Sequence, residues 1–241
     1  MSKKKKLVFY FIISLFIFLI CFYRFYGEKI ILTNDNCDYP MLWLHAAGSQ
    51  ERLKLASEKK YCGVEIDTTF SSNRGLIASY NKPNDTNVPN LEELISSNTS
   101  IKYWWLDLKN LNYSNAKESS KLIKDLSLKF KDNFFLIESH NFIGLWFFDS
   151  SQNNIYKTYW LAKGPYKNNK LHLGTPFYYL RSVLANIIID PDFVSMFHYQ
   201  VNHSDFLWIG TREKLTFTVN KAQEYKKVSK MGVSVILTDN L

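Results

Sequence analysis

Acidic, basic and histidine side chains stand at the ends of apolar, strand-like runs of this sequence. They are His45 after residues 41–44, Glu65 and Asp67 within 63–67, Asp107 and Lys109 within 104–109, and Glu138 after 134–137. A charge inside an apolar strand is costly unless it is paired or binds a metal. Its repeated placement at strand ends therefore indicates an active site at the mouth of a barrel.

The carboxylates among these residues predict a divalent cation site. Side chains alternate along a strand, so Glu65 and Asp67 project to the same side, as do Asp107 and Lys109. Three or four converging carboxylates without cysteine partners form a hard oxygen site, which suits Mg²⁺ or Ca²⁺ better than Zn²⁺. We expect Lys109 to offset the negative charge or to contact an anionic substrate, and His45 to act as a general acid or base.

Each candidate also has a structural interpretation. His45 can be a packed histidine bonded to the backbone, although its place at a strand end favours a functional role. Glu65 and Asp67 can be ion-pair partners of Lys109 inside the barrel. The case that they are metal ligands depends on a third carboxylate, Asp107, on the next strand. Glu138 is either a further metal ligand or a partner of Lys109 behind the ligands.

The elements that must position these residues alternate between strand and helix. Strands are predicted at 41–46, 63–69, 103–108, 134–137, 155–161, 193–197, 215–219 and 233–238, and helices at 49–60, 90–97, 115–130, 176–188 and 221–231. Continuous apolar strands separated by amphipathic helices predict a parallel sheet buried on both faces, and eight such units close into a (β/α)8 TIM-type barrel. Catalytic residues of this fold lie at the C-terminal ends of strands, where all the candidates fall.

Composition and charge limit the number of domains and the classes of binding partner. A chain of 241 residues with 46% hydrophobic content can bury one large core, so residues 41–241 fit a single barrel domain. Five of the formal +8 charges lie in residues 1–24, which leaves +3 for the remainder. So weak a field argues against nucleic acid as a partner.

The N-terminus predicts a membrane anchor. Four lysines at positions 3–6 precede an apolar run from Leu7 to Tyr23, which is just long enough to cross a thin bilayer, and Arg24 ends it. The run ends in large residues, which favours a retained signal anchor over a cleaved leader; a lipid-modified Cys21 is a weaker alternative. We expect a single-pass membrane protein with residues 1–24 as lysine cluster and transmembrane anchor, a cytoplasmic N-terminus, a linker over 25–40 and an extracytoplasmic barrel.

The two other cysteines precede the first two strands. Cys37 and Cys62 would then lie near the same end of adjacent strands. In an extracytoplasmic domain a disulfide between them is plausible, and two free buried thiols are the alternative.

Two aromatic runs stand beside predicted strands, at residues 142–148 and 177–179. They can form a membrane-facing lip or a pocket for an acyl or glycosyl group. Aromatic runs in this position are more often core, and we favour core.

The order of these residues resembles the glycerophosphodiester phosphodiesterases, which belong to the phospholipase-C-like phosphodiesterase barrels. The resemblance spans about residues 41–241 and rests on the opening strand with His45, Glu65-x-Asp67, Asp107-x-Lys109, Thr218-Val219-Asn220 and the closing segment Gly232–Asp239. The front half, with residues 45–49 and 106–109, is also similar to the menorin family.

The resemblance implies a divalent metal held by Glu65, Asp67 and Asp107, and a pair of histidines that transfer protons, of which His45 matches the first. The chain departs from the family at two positions. The usual His-Arg opening is His-Ala here, and residues 77–83, where the second histidine is expected, contain none. His140, which follows the fourth strand, is a candidate substitute for this group, whose help is commonly worth roughly 10²–10⁴-fold in rate.

The leading hypothesis for function is a membrane-anchored, metal-dependent phosphodiesterase. Its substrate would be a glycerophosphodiester, a lipid headgroup or a phosphodiester-linked surface glycan. One alternative is a catalytically reduced barrel that binds a phosphorylated or sugar ligand without hydrolysis. Another is a structural protein of the cell envelope.

Overall fold

The computed structural model describes residues 9–12, 14, 15, 18, 37–80, 82–149, 154–161, 166, 167, 170, 171, 175–201 and 212–241. The described residues of the N-terminal apolar run are helical. Among the residues described, no helix combines the length and the apolar character that crossing a bilayer requires. Most of the predicted span and residues 25–36 of the predicted linker lie outside the described residues, so the anchor stays a prediction.

Eight parallel strands close into a barrel. They are β1 (Met41–Leu44), β2 (Gly63–Ser71), β4 (Tyr103–Leu108), β5 (Phe134–Ser139), β6 (Ile155–Trp160), β9 (Phe193–Phe197), β10 (Glu213–Phe217) and β11 (Val233–Thr238). Neighbours pair in this order, and β11 returns to pair with β1. The predicted TIM-type barrel is confirmed, and each predicted strand agrees with the structure to within about two residues at either end, the usual uncertainty of such boundaries.

Three further strands were not predicted. β3 (Gly75–Ala78) folds back antiparallel on β2, while β7 (Tyr166–Lys167) and β8 (Lys170–Leu171) form a hairpin outside the barrel. The two residues of β7 and of β8 are too few to be recognised in the sequence.

The helices follow the strands, as this fold requires. They are α1 (Gln50–Glu58), α2 (Leu91–Ser97), α3 (Ala116–Lys129), α4 (Phe142–Leu145), α5 (Thr175–Ile189) and α6 (Ala222–Val228), with 3₁₀ turns at His198–Gln200 and Ser229–Met231. Side chains cap several of them: the Ser49 hydroxyl accepts from Arg52 N at the start of α1, and Asn90 forms a capping box with Glu93 at α2. α4 is a single turn, too short for a periodicity signal, and it was not predicted.

The inside of the barrel is filled by large apolar side chains. The buried ones are Met41, Trp43, Tyr103, Trp105, Leu136, Phe193, Leu215, Val235 and Leu237. Gly63 makes room for them, since a Cβ at this position would lie 2.6 Å from the Trp43 ring and 2.8 Å from Tyr103 Cβ. The barrel is therefore a packed core below the mouth and not a pore.

A disulfide joins Cys37 to Cys62, with their Cα atoms 6.0 Å apart. Because Cys62 directly precedes β2, the bond lies at the amino-terminal end of the barrel, opposite the strand ends that carry the candidate residues. The structure thus selects the disulfide over two free thiols.

The first aromatic run is core only in part. Phe148 is buried, but Trp146 is 63% exposed. The prediction of core was wrong for Trp146, because α4 ends after one turn and leaves the next residue at the surface. The side chains of residues 177–179 lie outside the described residues.

Candidate functional site

The candidate residues meet at the carboxyl ends of neighbouring strands. Asp67 is the Cα partner of Asp107 between β2 and β4, and Asp107 is the partner of Glu138 between β4 and β5. His45 follows β1, which pairs with β2 on its other side. A cavity of about 240 Å³ opens between them, lined on this side by His45, Glu65, Asp107, Lys109 and Glu138.

Three carboxylates form a tight group at the mouth. One oxygen each from Glu65, Asp67 and Asp107 lies within 4.8 Å of the other two. Lys109 Nζ lies 2.7 Å from Asp67 Oδ1 and donates to Asp107 Oδ2. The other Asp107 oxygen, Oδ1, is buried without a hydrogen-bond partner in the described part of the chain. This free buried acceptor and the all-oxygen donor set fit a hard divalent cation.

The charges of this group are unbalanced. Burial raises the pKa of Glu65 to about 7; His45 opposes the rise, and Asp67 and Asp107 add to it. Burial also raises the pKa of Asp107, against the effect of Lys109. The Lys109 ammonium is disfavoured by burial, yet Asp107 and Asp67 together raise the pKa of Lys109. A single ammonium therefore faces three carboxylates, which leaves room for further positive charge.

His45 forms a dyad with Asp239. His45 Nδ1 lies 2.8 Å from Asp239 Oδ1, and since a carboxylate only accepts, Nδ1 is the donor. Burial acts to raise the pKa of Asp239, but hydrogen bonds from His45 and Asn220 outweigh it and the pKa is lowered. Asp239 is thus ionised near neutral pH. The other ring nitrogen of His45, Nε2, lies 3.7 Å from Glu65 Oε2.

Two neighbours fix the position of Asp239. Asn220 Nδ2 donates to Asp239 Oδ2 at 2.6 Å, and Asn220 Oδ1 accepts from Asp239 N at 2.8 Å. Arg52 on α1 donates to the carbonyl oxygens of His45 (2.6 Å) and Asp239 (3.2 Å). Between His45 and α1 the chain turns at Ala46, whose φ of 52° lies in the left-handed region and whose N–H donates to Glu65 Oε2 at 2.8 Å.

Sequence reasoning did not assign a role to Asp239 or Arg52. A signal for Asp239 was present, because it follows an apolar strand in the same way as His45 and Glu138. Arg52 gave no such signal. Its contacts depend on how α1 packs against the first and last strands, which no local pattern shows.

Glu138 lies beside the three carboxylates without belonging to their group. It is 3% exposed, and Ser195 Oγ on β9 donates to its Oε2. Burial raises the pKa of Glu138 well above its ordinary value, and Asp107 adds to the rise. Its assignment as a metal ligand stays a hypothesis.

His140 lies at the rim, with its ring edge-on against Trp160. Arg181 donates to its backbone carbonyl at 2.8 Å. Burial, Lys109 and Arg181 lower the pKa of His140, so the ring is neutral near pH 7. His140 is not among the described residues that line the cavity. Its role as a substitute acid remains a hypothesis.

Tyr80 lies in the segment where the second family histidine is expected. Its ring centroid is 5.0 Å from Lys109 Nζ, close enough for a cation–π contact, and the side chain is largely exposed. The segment therefore presents a phenol at the acidic side of the mouth.

The other side of the cavity is aromatic. Trp160 ends β6, Phe197 ends β9 and Phe217 ends β10, and Trp105 lies two residues below Asp107 on β4. We call Trp105, Trp160, Phe197 and Phe217 the aromatic wall. In the order of strands around the barrel, β6, β9 and β10 lie opposite β1, β2 and β4, so Trp160, Phe197 and Phe217 face the acidic group, while Trp105 lies on its side of the barrel.

No family model and no curated protein matches this sequence. Solved structures do match. An Oleispira antarctica phosphodiesterase in complex with the product sn-glycerol-3-phosphate superposes with a TM-score of 0.62 at 16% identity, covering 83% of this chain and 93% of that one. A glycerophosphodiester phosphodiesterase from Parabacteroides distasonis superposes with a TM-score of 0.60 at 15% identity, and the match covers 86% of this chain and 94% of that one.

A more distant likeness extends to a calcium-dependent phosphoinositol-specific phospholipase C from a Pseudomonas species. Its TM-score is 0.54 at 8% identity, and the match covers 84% of this chain and 90% of that one. At these identities the likeness shows the fold. The resemblance to glycerophosphodiester phosphodiesterases and phospholipase-C-like barrels is confirmed at that level, and the similarity to menorins stays a prediction.

Proposed function

We propose that this protein is a metal-dependent phosphodiesterase that acts on a glycerophosphodiester, a lipid headgroup or a phosphodiester-linked surface glycan. The observation that carries the proposal is the group of three carboxylates beside the His45–Asp239 dyad, at the mouth of a barrel that folds like glycerophosphodiester phosphodiesterases. Catalytic groups of this fold lie at this end of the strands.

The residues that would hold Mg²⁺ or Ca²⁺ are Glu65, Asp67 and Asp107. When bound, such a cation neutralises phosphate charge and lowers the pKa of a coordinated hydroxyl. Lys109 supplies a fixed positive charge at the same place, because the pKa of its ammonium is raised by the two aspartates it contacts. Together with a bound divalent cation, this ammonium would balance the three carboxylates, and the site could then receive an anionic phosphodiester.

His45 is placed to move the proton of the attacking hydroxyl. His45 lines the cavity, with its Nε2 3.7 Å from Glu65 Oε2, and Asp239 stabilises the imidazolium that forms when Nε2 takes the proton. The new P–O bond forms to the attacking oxygen, and the P–O bond to the leaving alcohol breaks. The leaving alkoxide then takes a proton from the imidazolium or from water.

The apolar run 7–23 is proposed to hold the enzyme in a membrane, with the lysines of residues 3–6 on the cytoplasmic side and the barrel outside. The Cys37–Cys62 disulfide supports an oxidising compartment for the barrel.

The test is turnover of a phosphodiester panel by the full chain, purified in detergent, with Mg²⁺ or Ca²⁺ and after chelation. We expect chelation to abolish turnover, and Glu65→Gln to lower kcat/KM roughly 10²-fold or more. Glu118→Gln, an exposed acid on α3, is the matched control and should retain full turnover. Turnover unchanged by both chelation and Glu65→Gln would refute the proposal.

A second candidate function is binding of a phosphorylated or sugar ligand without hydrolysis. It is favoured by the absence of histidine from residues 77–83 and by the position of His140 outside the cavity lining. Metal-dependent binding of a phosphorylated ligand, with no turnover of any phosphodiester, would establish this function instead. The third hypothesis, a structural envelope protein, requires that replacing the mouth carboxylates leaves both binding and phenotype intact.

A further inference from the structure

Charge is segregated between the two ends of the barrel. The carboxylates of the candidate site lie at the mouth, whereas exposed lysines gather at the opposite end, in the segments that lead into the strands. These lysines, which we call the basal lysines, are Lys59, Lys60, Lys102, Lys131, Lys226, Lys227 and Lys230. In the described part of the chain no basal lysine has an ion-pair partner, so their ammonium groups are available to an external anion.

The basal lysines occupy one side of this end of the barrel. They precede β2, β4, β5 and β11, which together with β1 are consecutive strands of the closed sheet. The segments that lead into β9 and β10 on the other side carry acidic residues instead, namely Asp190, Asp192 and Glu213. The acids among the lysines are Asp38, Asp132 and Glu58, of which Glu58 pairs with Lys54. Lysines outnumber these acids, so this side is a basic surface.

The chain that comes from the predicted anchor enters the barrel on the same side. The Cys37–Cys62 disulfide fixes it at the start of β2, among the strands that carry the basal lysines. Tyr39 follows directly and is 59% exposed. Tyrosine is enriched where proteins meet the headgroup layer of a membrane, because its ring is apolar and its hydroxyl is polar. The basic surface therefore surrounds the point at which a membrane would be nearest.

We propose that the basal lysines dock the barrel on anionic headgroups of the bilayer that holds the predicted anchor. Charge complementarity selects this partner, since each lysine near an anionic lipid surface strengthens the contact about five-fold. Continuity with the anchor keeps that surface within reach. The contact is electrostatic and is therefore weakened by salt. This inference rests on the anchor in the proposed function and does not depend on hydrolysis.

Docking at the amino-terminal end turns the mouth away from the bilayer, because the two are opposite ends of the barrel. The carboxylates of Glu65, Asp67 and Asp107 are thereby kept away from the negative lipid surface. If the protein is a phosphodiesterase, this orientation favours a glycerophosphodiester in solution or a surface glycan as substrate. It disfavours a lipid headgroup of the bilayer that carries the enzyme.

The test measures the acetylation rate of each lysine by mass spectrometry. The full chain is placed in nanodiscs of phosphatidylcholine, with or without phosphatidylglycerol. We expect the basal lysines to react about five-fold more slowly when phosphatidylglycerol is present, and the difference to vanish near 1 M salt, where the Debye length is about 3 Å. Lys82, near Tyr80, and Lys117, in the first turn of α3, lie towards the mouth and should react equally in both lipids.

Two variants separate docking from a general effect of charge. The basal variant combines Lys102→Glu, Lys131→Glu and Lys230→Glu, and the matched control combines Lys82→Glu, Lys117→Glu and Lys121→Glu, all at exposed positions. The basal variant should lose most of the slowing at Lys59 and Lys60, whereas the control should keep it. If the basal variant unfolds, the lipid and salt dependence of the wild-type chain decides the question.

The inference is overturned if Lys82 and Lys117 are slowed as much as the basal lysines, if the slowing does not require the anionic lipid, or if the chain does not enter nanodiscs. Equal slowing by polyglutamate in detergent would assign the basal lysines to an acidic polymer and also overturn it.

Hydrolysis of a phosphodiester panel is measured in parallel. Slowing at the basal lysines without any hydrolysis would refute the proposed function and support the docking, whereas hydrolysis without slowing would do the reverse. Hydrolysis of phospholipid in the nanodisc that holds the chain would contradict the orientation of the mouth.

Discussion

His45 Nδ1 lies 2.8 Å from Asp239 Oδ1, so a residue that follows the first strand is oriented by one that follows the last. The contact exists only because β11 pairs with β1 and closes the barrel. Closure of the sheet thus fixes which ring nitrogen of His45 is free to accept a proton.

The first prediction concerns this dyad. In Asp239→Asn the new amide N–H can donate to His45 Nδ1. The ring proton then moves to Nε2, and Nε2 can no longer accept the proton of the attacking hydroxyl. We expect kcat to fall roughly 10²–10⁴-fold with little change in KM. The measurement is steady-state turnover of the best phosphodiester across pH. Asp132→Asn, at an exposed position after α3, is the control; a kcat within about two-fold of wild type in Asp239→Asn would contradict the dyad.

The second prediction concerns Lys109, which contacts Asp67 and Asp107. Lys109→Met leaves these carboxylates without their ammonium partner. We expect the metal-free protein to lose about 3 kcal/mol of unfolding free energy, the lower end for breaking a buried pair. Added Ca²⁺ or Mg²⁺ should restore most of the lost stability, because no ammonium then competes with the cation for the two carboxylates.

Denaturant unfolding with and without metal measures both effects. Lys117→Met, an exposed lysine on α3, is the control and should change neither. If Lys109→Met keeps wild-type stability in chelator and gains nothing from added cation, the competition between ammonium and metal is refuted.

The third prediction concerns pH. The pKa of Glu65 rises from 4.5 to about 7 on folding, so between these values the folded state binds more protons than the unfolded state. Stability without metal should therefore fall as pH rises from about 4.5 to 7. The raised pKa values of Asp107 and Glu138 act in the same direction. Urea unfolding midpoints, measured in chelator across this pH range, give the change of stability with pH, and Glu65→Gln should make this change smaller. Stability that rises with pH, or a pH dependence that Glu65→Gln leaves unchanged, would contradict the burial argument.

The fourth prediction concerns packing inside the barrel. Gly63→Ala would place a methyl group 2.6 Å from the Trp43 ring, which must then move within a filled core. We expect a loss of about 1–3 kcal/mol in unfolding free energy. Gly48→Ala is the matched control, because its nearest neighbour, Ala78 Cβ, would be at an ordinary 3.5 Å. Equal stability of the two variants in thermal or denaturant unfolding would show that the interior is loosely packed.

The barrel was predictable because each of its eight strands carries its own signal. Strands buried on both faces are continuous apolar runs, and the acidic residues interrupt those runs at the mouth, where alternation carries Glu65, Asp67 and Asp107 to one side. The clustering of these three carboxylates therefore followed from local patterns and strand order. The place of Glu138 outside this cluster did not, because nothing in the sequence distinguishes Glu138 from the other acidic residues and its hydrogen bond from Ser195 joins distant parts of the chain.

The contacts that the sequence did not reveal join residues far apart in the chain. Arg52 reaches His45 and Asp239 through the packing of α1, and the aromatic wall gathers rings from β6, β9 and β10. Each ring reads as core when its strand is considered alone. Their common exposure to one cavity depends on where the barrel stops being filled, which is a property of the assembled structure.

The disulfide gives the chain a fixed point of attachment. Since Cys37 is bonded to Cys62 at the amino-terminal rim, a pull on the preceding segment is transmitted to the start of β2 as well as to β1. Mechanical load from the proposed anchor would enter at the end of the barrel remote from the candidate residues. If the proposed anchor holds the chain, the barrel could change its orientation without a direct pull on the strand ends that carry the carboxylates.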